Sequence, residues 1–128
     1  METFEKYLAM RNLIQKTEGR ALVYGVTISE YLTLREIQKA GAEGVSRFEL
    51  AEKLGYSVLE LTKTLQPLEK LCFVETLEAT ANPRNRRVAM TSGGSGIYAD
   101  IEHEFHRRMN LLTFEIGQLA KALTNHDS

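Results

Sequence analysis

Tryptophan is absent, cysteine occurs once and proline twice, and no apolar run approaches the roughly 20 residues needed to span a bilayer. A single cysteine, Cys72, cannot close an intramolecular disulfide, so nothing points to an oxidising compartment. The opening residues, Met1-Glu2-Thr3-Phe4-Glu5-Lys6, lack the basic start and apolar stretch of a secretory signal, and the expected location is cytoplasmic. Charge of one sign is lacking too: 16 Lys and Arg oppose 17 Asp and Glu, for a formal net charge of -1. A surface that grips nucleic acid all over is thereby excluded, and any such binding has to be local. Catalytic groupings are missing as well. There is no nucleophile with base and acid partners and no cysteine-rich metal set, and Gly93-Gly94-Ser95-Gly96 lacks the Lys-Ser/Thr ending of a phosphate loop. Neither enzymatic activity nor a cofactor is expected.

What is present suits one soluble domain over residues 1–128, with 43% hydrophobic and 26% charged residues. Phe4, Leu8, Met10, Leu13 and Ile14 recur near helical spacing, which predicts a first amphipathic helix from Thr3 to Thr17, ending near Gly19. Thr27-Ile28-Ser29-Glu30 has a hydroxyl with a carboxylate three positions on, the pattern of a capping box, and predicts a second helix over 28–40. The same signature recurs in Ser46-Arg47-Phe48-Glu49 and Ser57-Val58-Leu59-Glu60. The third helix carries Phe48, Leu50, Ala51 and Leu54 and stops at Gly55, while the fourth carries Val58, Leu61, Leu65 and Leu68 on one face. Two short capped helices around a glycine turn make a helix-turn-helix.

Residues 73–77 and 87–91 are rich in strand formers and bracket Asn82-Pro83-Arg84-Asn85-Arg86, so they read as a hairpin with a basic tip. A hairpin directly after a helix-turn-helix is a wing. Residues 92–96 are expected to be too glycine-rich for helix, after which Ile97, Ile101, Phe105, Met109, Leu112, Ile116, Leu119 and Leu123 restore helical spacing to about 124. Thr113 is a plausible N-cap that would divide this last segment in two. The fold class is therefore mostly α with a small β-hairpin wing.

In order and spacing the chain resembles the MarR family of bacterial transcriptional regulators over nearly its whole length. The resemblance rests on Gly25-Val26-Thr27, Glu49-Leu50-Ala51, Leu61-Thr62-Lys63, Leu68-Glu69-Lys70, Phe73-Val74, the Asn/Pro/Arg segment and Met90-Thr91 followed by glycines. It implies a winged helix-turn-helix over 27–91 and terminal helices, 1–22 and 95–128, that interlock in a homodimer. It further implies a regulator, usually a repressor, that holds a pseudo-palindromic site on double-stranded DNA and is released by a small aromatic or anionic effector. Three departures stand out: Asn82 and Asn85 replace the aspartates usual in the wing, Cys72 replaces a glycine after the fourth helix, and Pro67 predicts a kink or early end of that helix.

Under this reading Thr62, Lys63 and Gln66 face DNA from the fourth helix, Ser57 offers a backbone N–H to a phosphate, and Arg84 and Arg86 reach DNA from the wing. Arg87 begins a strand, and pairing within the protein is its alternative role. Tyr24, Tyr31 and Phe48 are candidates to line an effector pocket. Leu71 and Phe73 flank Cys72, so a buried, inert thiol is expected rather than a redox sensor. His103 and His106 have a spacing that can serve one metal, but on a charged helix such pairs more often bind nothing, and no metal site is expected. Residues 57–91 hold five basic side chains against four acidic ones. That weak balance keeps open a winged-helix module that binds protein instead of DNA.

Overall fold

The computed structural model describes residues 2–77 and 86–125. Asn82, Pro83, Arg84 and Asn85, assigned to the tip of the wing, lie outside the described residues. The elements run α1 (Thr3–Glu18), α2 (Ile28–Ala40), a 3-10 turn (Gly41–Glu43), β1 (Val45–Ser46), α3 (Arg47–Leu54), α4 (Val58–Lys70), β2 (Val74–Leu77), β3 (Arg87–Met90) and α5 (Ser92–Asn125). The strands form one antiparallel sheet in the order β1-β3-β2, with Val45 opposite Val88 and Val74 opposite Met90. The result is a winged helix-turn-helix flanked by a helix at each end.

Local signals set most helix starts. At α2 the Glu30 N–H donates to Thr27 Oγ1 (3.2 Å) while the Thr27 N–H donates to Glu30 Oε1 (2.8 Å), so two orphan donors are satisfied reciprocally. Ser57 and Glu60 do the same at α4. At α3 the Ser46 hydroxyl accepts from the Glu49 N–H (3.1 Å), and Ser46 also pairs with Arg87 across the sheet. Gly55 ends α3 at φ 69, a left-handed conformation that a side chain would oppose.

These starts aim apolar side chains at one core. Val26, Tyr31, Leu34, Ile37, Leu50, Leu65, Leu68, Val88 and Ile101 are fully buried in it. Tyr31 stacks on Phe105 at 4.6 Å and on Tyr98 at 5.9 Å, joining α2 to the middle of α5. Two residues expected on buried faces are instead exposed, Val58 in the first turn of α4 and Phe48 in the first turn of α3. Helical spacing marks the side a residue faces, but both lie beyond the edge of the core.

The beginning of α5 corrects the sequence reading. Residues 92–96 are helical from Ser92 despite three glycines, because Thr91 supplies the start: its Oγ1 accepts from the Gly94 N–H at 3.0 Å. Thr91 Oγ1 also donates to the Cys72 carbonyl at 2.6 Å, and the Thr91 N–H donates to the Phe73 carbonyl at 3.1 Å. The first turn of α5 thus lies directly on the chain after α4, and a Cβ at Gly94 would collide with the Phe73 carbonyl group, whose carbon would stand 2.9 Å away. Nor is the helix divided at Thr113, whose hydroxyl donates to the Met109 carbonyl (2.9 Å) within a single α5 of 34 residues.

The turn after α4 holds two further outcomes. The helix continues three residues past Pro67 to Lys70, so of the kink or early end expected there the early end does not occur. Cys72 is exposed, not buried, and takes the left-handed φ of 62. The Phe73 N–H reaches the Leu68 carbonyl and the Cys72 N–H the Glu69 carbonyl, both at 3.0 Å, which closes a Schellman turn. Geometry places the side chain outside, whatever its apolar neighbours suggest.

Candidate nucleic-acid interface

Four residues of α4 recur at intervals of four, three and four: Leu59, Lys63, Gln66 and Lys70. That spacing puts them on one strip. Leu61, Leu65 and Leu68 are buried on the opposite side, so the core itself presents the strip to solvent. Among the described residues, Lys63, Gln66 and Lys70 have no side-chain partner, and all three are exposed. Arg86, just before β3, is exposed as well, while its backbone carbonyl accepts from the Arg47 N–H at 3.1 Å. The sequence assignments Lys63, Gln66 and Arg86 therefore stand at the surface, two of them on a single helical strip; Arg84 lies outside the described residues.

Two other assigned groups are already engaged. The Ser57 N–H donates to Glu60 Oε1 (3.2 Å), so it is held by the capping box instead of pointing free at a phosphate. The Thr62 hydroxyl donates to the Val58 carbonyl (2.9 Å), which leaves it able to accept but commits its proton. Between them the first turn of α4 carries two exposed apolar side chains, Val58 (77%) and Leu59 (62%), beside the exposed Glu60.

The strip is held against the wing by a link absent from the sequence reading. Arg47, the first residue of α3, sends Nη2 to Glu69 Oε1 at 3.0 Å and to Thr76 Oγ1 at 3.3 Å, while its Nε is buried without a partner. One guanidinium therefore ties the end of α4 to β2. Its partners are 22 and 29 residues away, so no local pattern could have found it. Arg87 adopts its alternative role: Nε and Nη2 donate to the Glu43 and Gly44 carbonyls, each at 2.8 Å, which fixes β3 to the turn before β1.

A second set of ties joins this unit to α5. Arg108, almost fully buried, donates from Nη1 to the Arg20 carbonyl (3.2 Å) and from Nη2 to the Ala21 carbonyl (3.0 Å). Glu104 orients that guanidinium at 3.4 Å and pairs with Arg107. The Arg107 hydrogen bond is the main cause that holds the Glu104 carboxyl down at about 2. The Tyr24 hydroxyl donates to Asp100 Oδ2 at 2.8 Å, a bond that raises the Tyr24 pKa.

The effector candidates are dispersed. Tyr31 is in the core, Tyr24 is on the α1–α2 connection and Phe48 stands on the outer side of α3. None of them lines the cleft of about 350 Å³ between Gln38, Gly41, Met90, Thr91 and Ser95. His103 and His106 are exposed on α5. No helix among the described residues is long and apolar enough to cross a membrane.

No family model matches the chain, and no curated protein sequence does. Solved structures do. A probable transcriptional regulator from Pseudomonas aeruginosa superposes with a TM-score of 0.72 at 12% identity, covering 93% of this chain and 94% of its own. The reduced form of MarR from E. coli gives 0.65 at 21% identity, covering 93% of each chain. A mutant of S. aureus MepR bound to an oligodeoxyribonucleotide gives 0.60 at 16% identity, covering 98% of this chain and 96% of that one. The chain is a winged helix-turn-helix protein. Its fold is the one found in the MarR-type regulators, over nearly the full length of both.

Proposed function

We propose that the chain is a sequence-specific DNA-binding transcriptional regulator, not an enzyme, and that it acts as a homodimer. The observation that carries this reading is the outward strip of α4, where Lys63, Gln66 and Lys70 lie unpaired among the described residues opposite a buried leucine face. Lysines supply phosphate contacts, and Gln66 has the donor and acceptor pair that suits an adenine edge. Arg86 and Arg84 extend the contact from the wing, Arg84 being assigned from sequence alone. The dimer is supported by exposed apolar side chains on both terminal helices, among them Phe4 (68%) and Phe114 (63%), with an apolar groove between Met10, Ile14, Ile116 and Leu123. Repression relieved by a small aromatic or anionic effector completes the reading, as the MarR resemblance implies.

The test is sequencing of genomic fragments retained by the purified protein, followed by titration of a recovered duplex at several salt concentrations. Enrichment of a pseudo-palindrome with half-sites about one helical turn apart, bound more weakly as salt rises, is the expected result. One observation favours a second reading, a protein-binding module: Phe48, Val58 and Leu59 are all large, apolar and exposed. Absence of duplex binding even at low salt selects that reading.

A further inference from the structure

We propose that Val58 and Leu59 read the C5-methyl groups of thymines in the major groove, so that each preferred half-site carries thymine where the first turn of α4 meets it. This deepens the DNA-binding reading above and rests on it. The N-terminal residues of a recognition helix are the ones that reach base edges. In this chain each polar group near that turn already makes a hydrogen bond within the helix. The Ser57 hydroxyl accepts from the Glu60 N–H, the Glu60 carboxylate accepts from the Ser57 N–H, and the Thr62 and Thr64 hydroxyls donate to the Val58 and Glu60 carbonyls. Beside the exposed Ser57 and Glu60 stand a branched valine and a leucine, both more exposed than buried.

The thymine methyl is the apolar feature that the major groove presents, and it is the group that such side chains can recognise without hydrogen bonds. Leu59 shares its strip with Lys63, Gln66 and Lys70, so a duplex held by those side chains lies across it. The extent of the patch agrees. Two side chains suit one or two methyl groups, whereas a stable protein partner covers about 800 Å² on each side, more than these two and the exposed Phe48 supply together.

The experiment removes the methyl from the DNA, not a side chain from the protein, so protein folding does not enter. In the recovered duplex each thymine of the half-sites is replaced singly by deoxyuridine, which keeps every hydrogen-bonding group. The expected result is about a fourfold loss of affinity at one or two positions per half-site, the effect of leaving about one methyl unburied. The Val58→Ala, Leu59→Ala double variant, checked for unchanged circular dichroism, is expected to bind the thymine and uracil duplexes equally. Equal binding of all these duplexes by the wild-type protein overturns the inference while leaving DNA binding intact. A uracil penalty that persists in the double variant also overturns it, because other residues then read the methyl. If no duplex is bound at all, the DNA-binding reading fails and this one with it, and the exposed pair is left to a protein partner.

Discussion

Replacing Gly94 with alanine tests whether the start of α5 is built for close approach. By helix propensity alone the change should help, since alanine is favoured over glycine inside a helix by about 1 kcal/mol. Here the new Cβ would run into the Phe73 carbonyl, with the carbonyl carbon 2.9 Å away and the Phe73 Cα 3.1 Å away. Both are backbone atoms, so no flexible side chain can swing aside. Forcing a methyl into a packed contact costs about 1–3 kcal/mol. If α5 retreats instead, the bonds of Thr91 to Cys72 and Phe73 weaken, at about 1 kcal/mol for each. We expect a net loss of about 1–3 kcal/mol, and at roughly 4 °C per kcal/mol for a chain of this size, a Tm lowered by about 4–12 °C. Gly96→Ala is the matched control. It lies two residues on in the same helix, its Cβ would meet nothing within 4 Å, and it should raise stability by about 0.5–1 kcal/mol. Thermal unfolding by circular dichroism at one fixed protein concentration compares the two, because Tm of an oligomer depends on concentration. A Tm that rises equally in both variants would refute the reasoning.

Cys72→Gly should stabilise the protein by about 1 kcal/mol, since the left-handed φ of 62 is natural to glycine; a lower Tm by differential scanning calorimetry would contradict this. Lys63→Ala should reduce the slope of log affinity against log salt by about one unit per subunit while leaving the circular dichroism spectrum unchanged, and an unaltered slope would remove Lys63 from the phosphate contacts. Phe114→Asp should weaken dimerisation at least about a hundredfold, since the symmetric interface loses two buried rings, as read by light scattering over a dilution series; a monomeric wild-type protein at micromolar concentration would end the dimer proposal. Glu104 has its folded pKa lowered to about 2, chiefly by the hydrogen bond from Arg107. Its contribution to stability is therefore full above the ordinary glutamate value of about 4.3 and disappears as pH falls towards 2. Glu104→Gln should be the less stable form at pH 7, by a modest amount because Arg107 is exposed, with the gap closing below pH 4; a gap that stays constant with pH would show that the carboxylate charge plays no part.

Where structure follows from atoms a few residues apart, the sequence was sufficient. Thr27 with Glu30 and Ser57 with Glu60 fixed the starts of α2 and α4, and the turn at Gly55 the stop of α3, because a cap is a local bond. The order of helices and strands then carried the winged helix-turn-helix, and the solved MarR-type structures share it. Some misreadings involve partners distant in sequence, and others, at Cys72 and Thr113, turn on local bonds that compete with the pattern read there. Residues 92–96 form helix from a cap by Thr91 on the Gly94 N–H, and Thr91 is itself held by Cys72 and Phe73, about twenty positions back. Strand β1 has two residues and exists only by pairing with β3. Periodicity assigned Val58 and Phe48 to apolar faces, but it contains no information about where the core stops. Of the candidate interface, the exposed lysine and glutamine were visible as the polar side of a helix, whereas the Arg47 link to Glu69 and Thr76 depended on three elements folding together.

The buried Arg108 lies at the midpoint of an α5 that runs without a break for 34 residues, a rod about 50 Å long. Its first half is held as well, by Thr91 on Cys72 and Phe73 and by Tyr31 on Tyr98 and Phe105, so the half beyond Arg108 is the arm of the lever. A tilt of about 5° at Arg108 would displace the far end by roughly 2 Å relative to the winged unit, a large part of the roughly 3.4 Å rise between base pairs. In a symmetric pair two such rods would swing together, and the distance between the two α4 strips would change by about twice that displacement. In the proposed dimer the spacing of the two α4 strips would then depend on that angle, with Arg108 holding the Arg20 and Ala21 carbonyls at the bend.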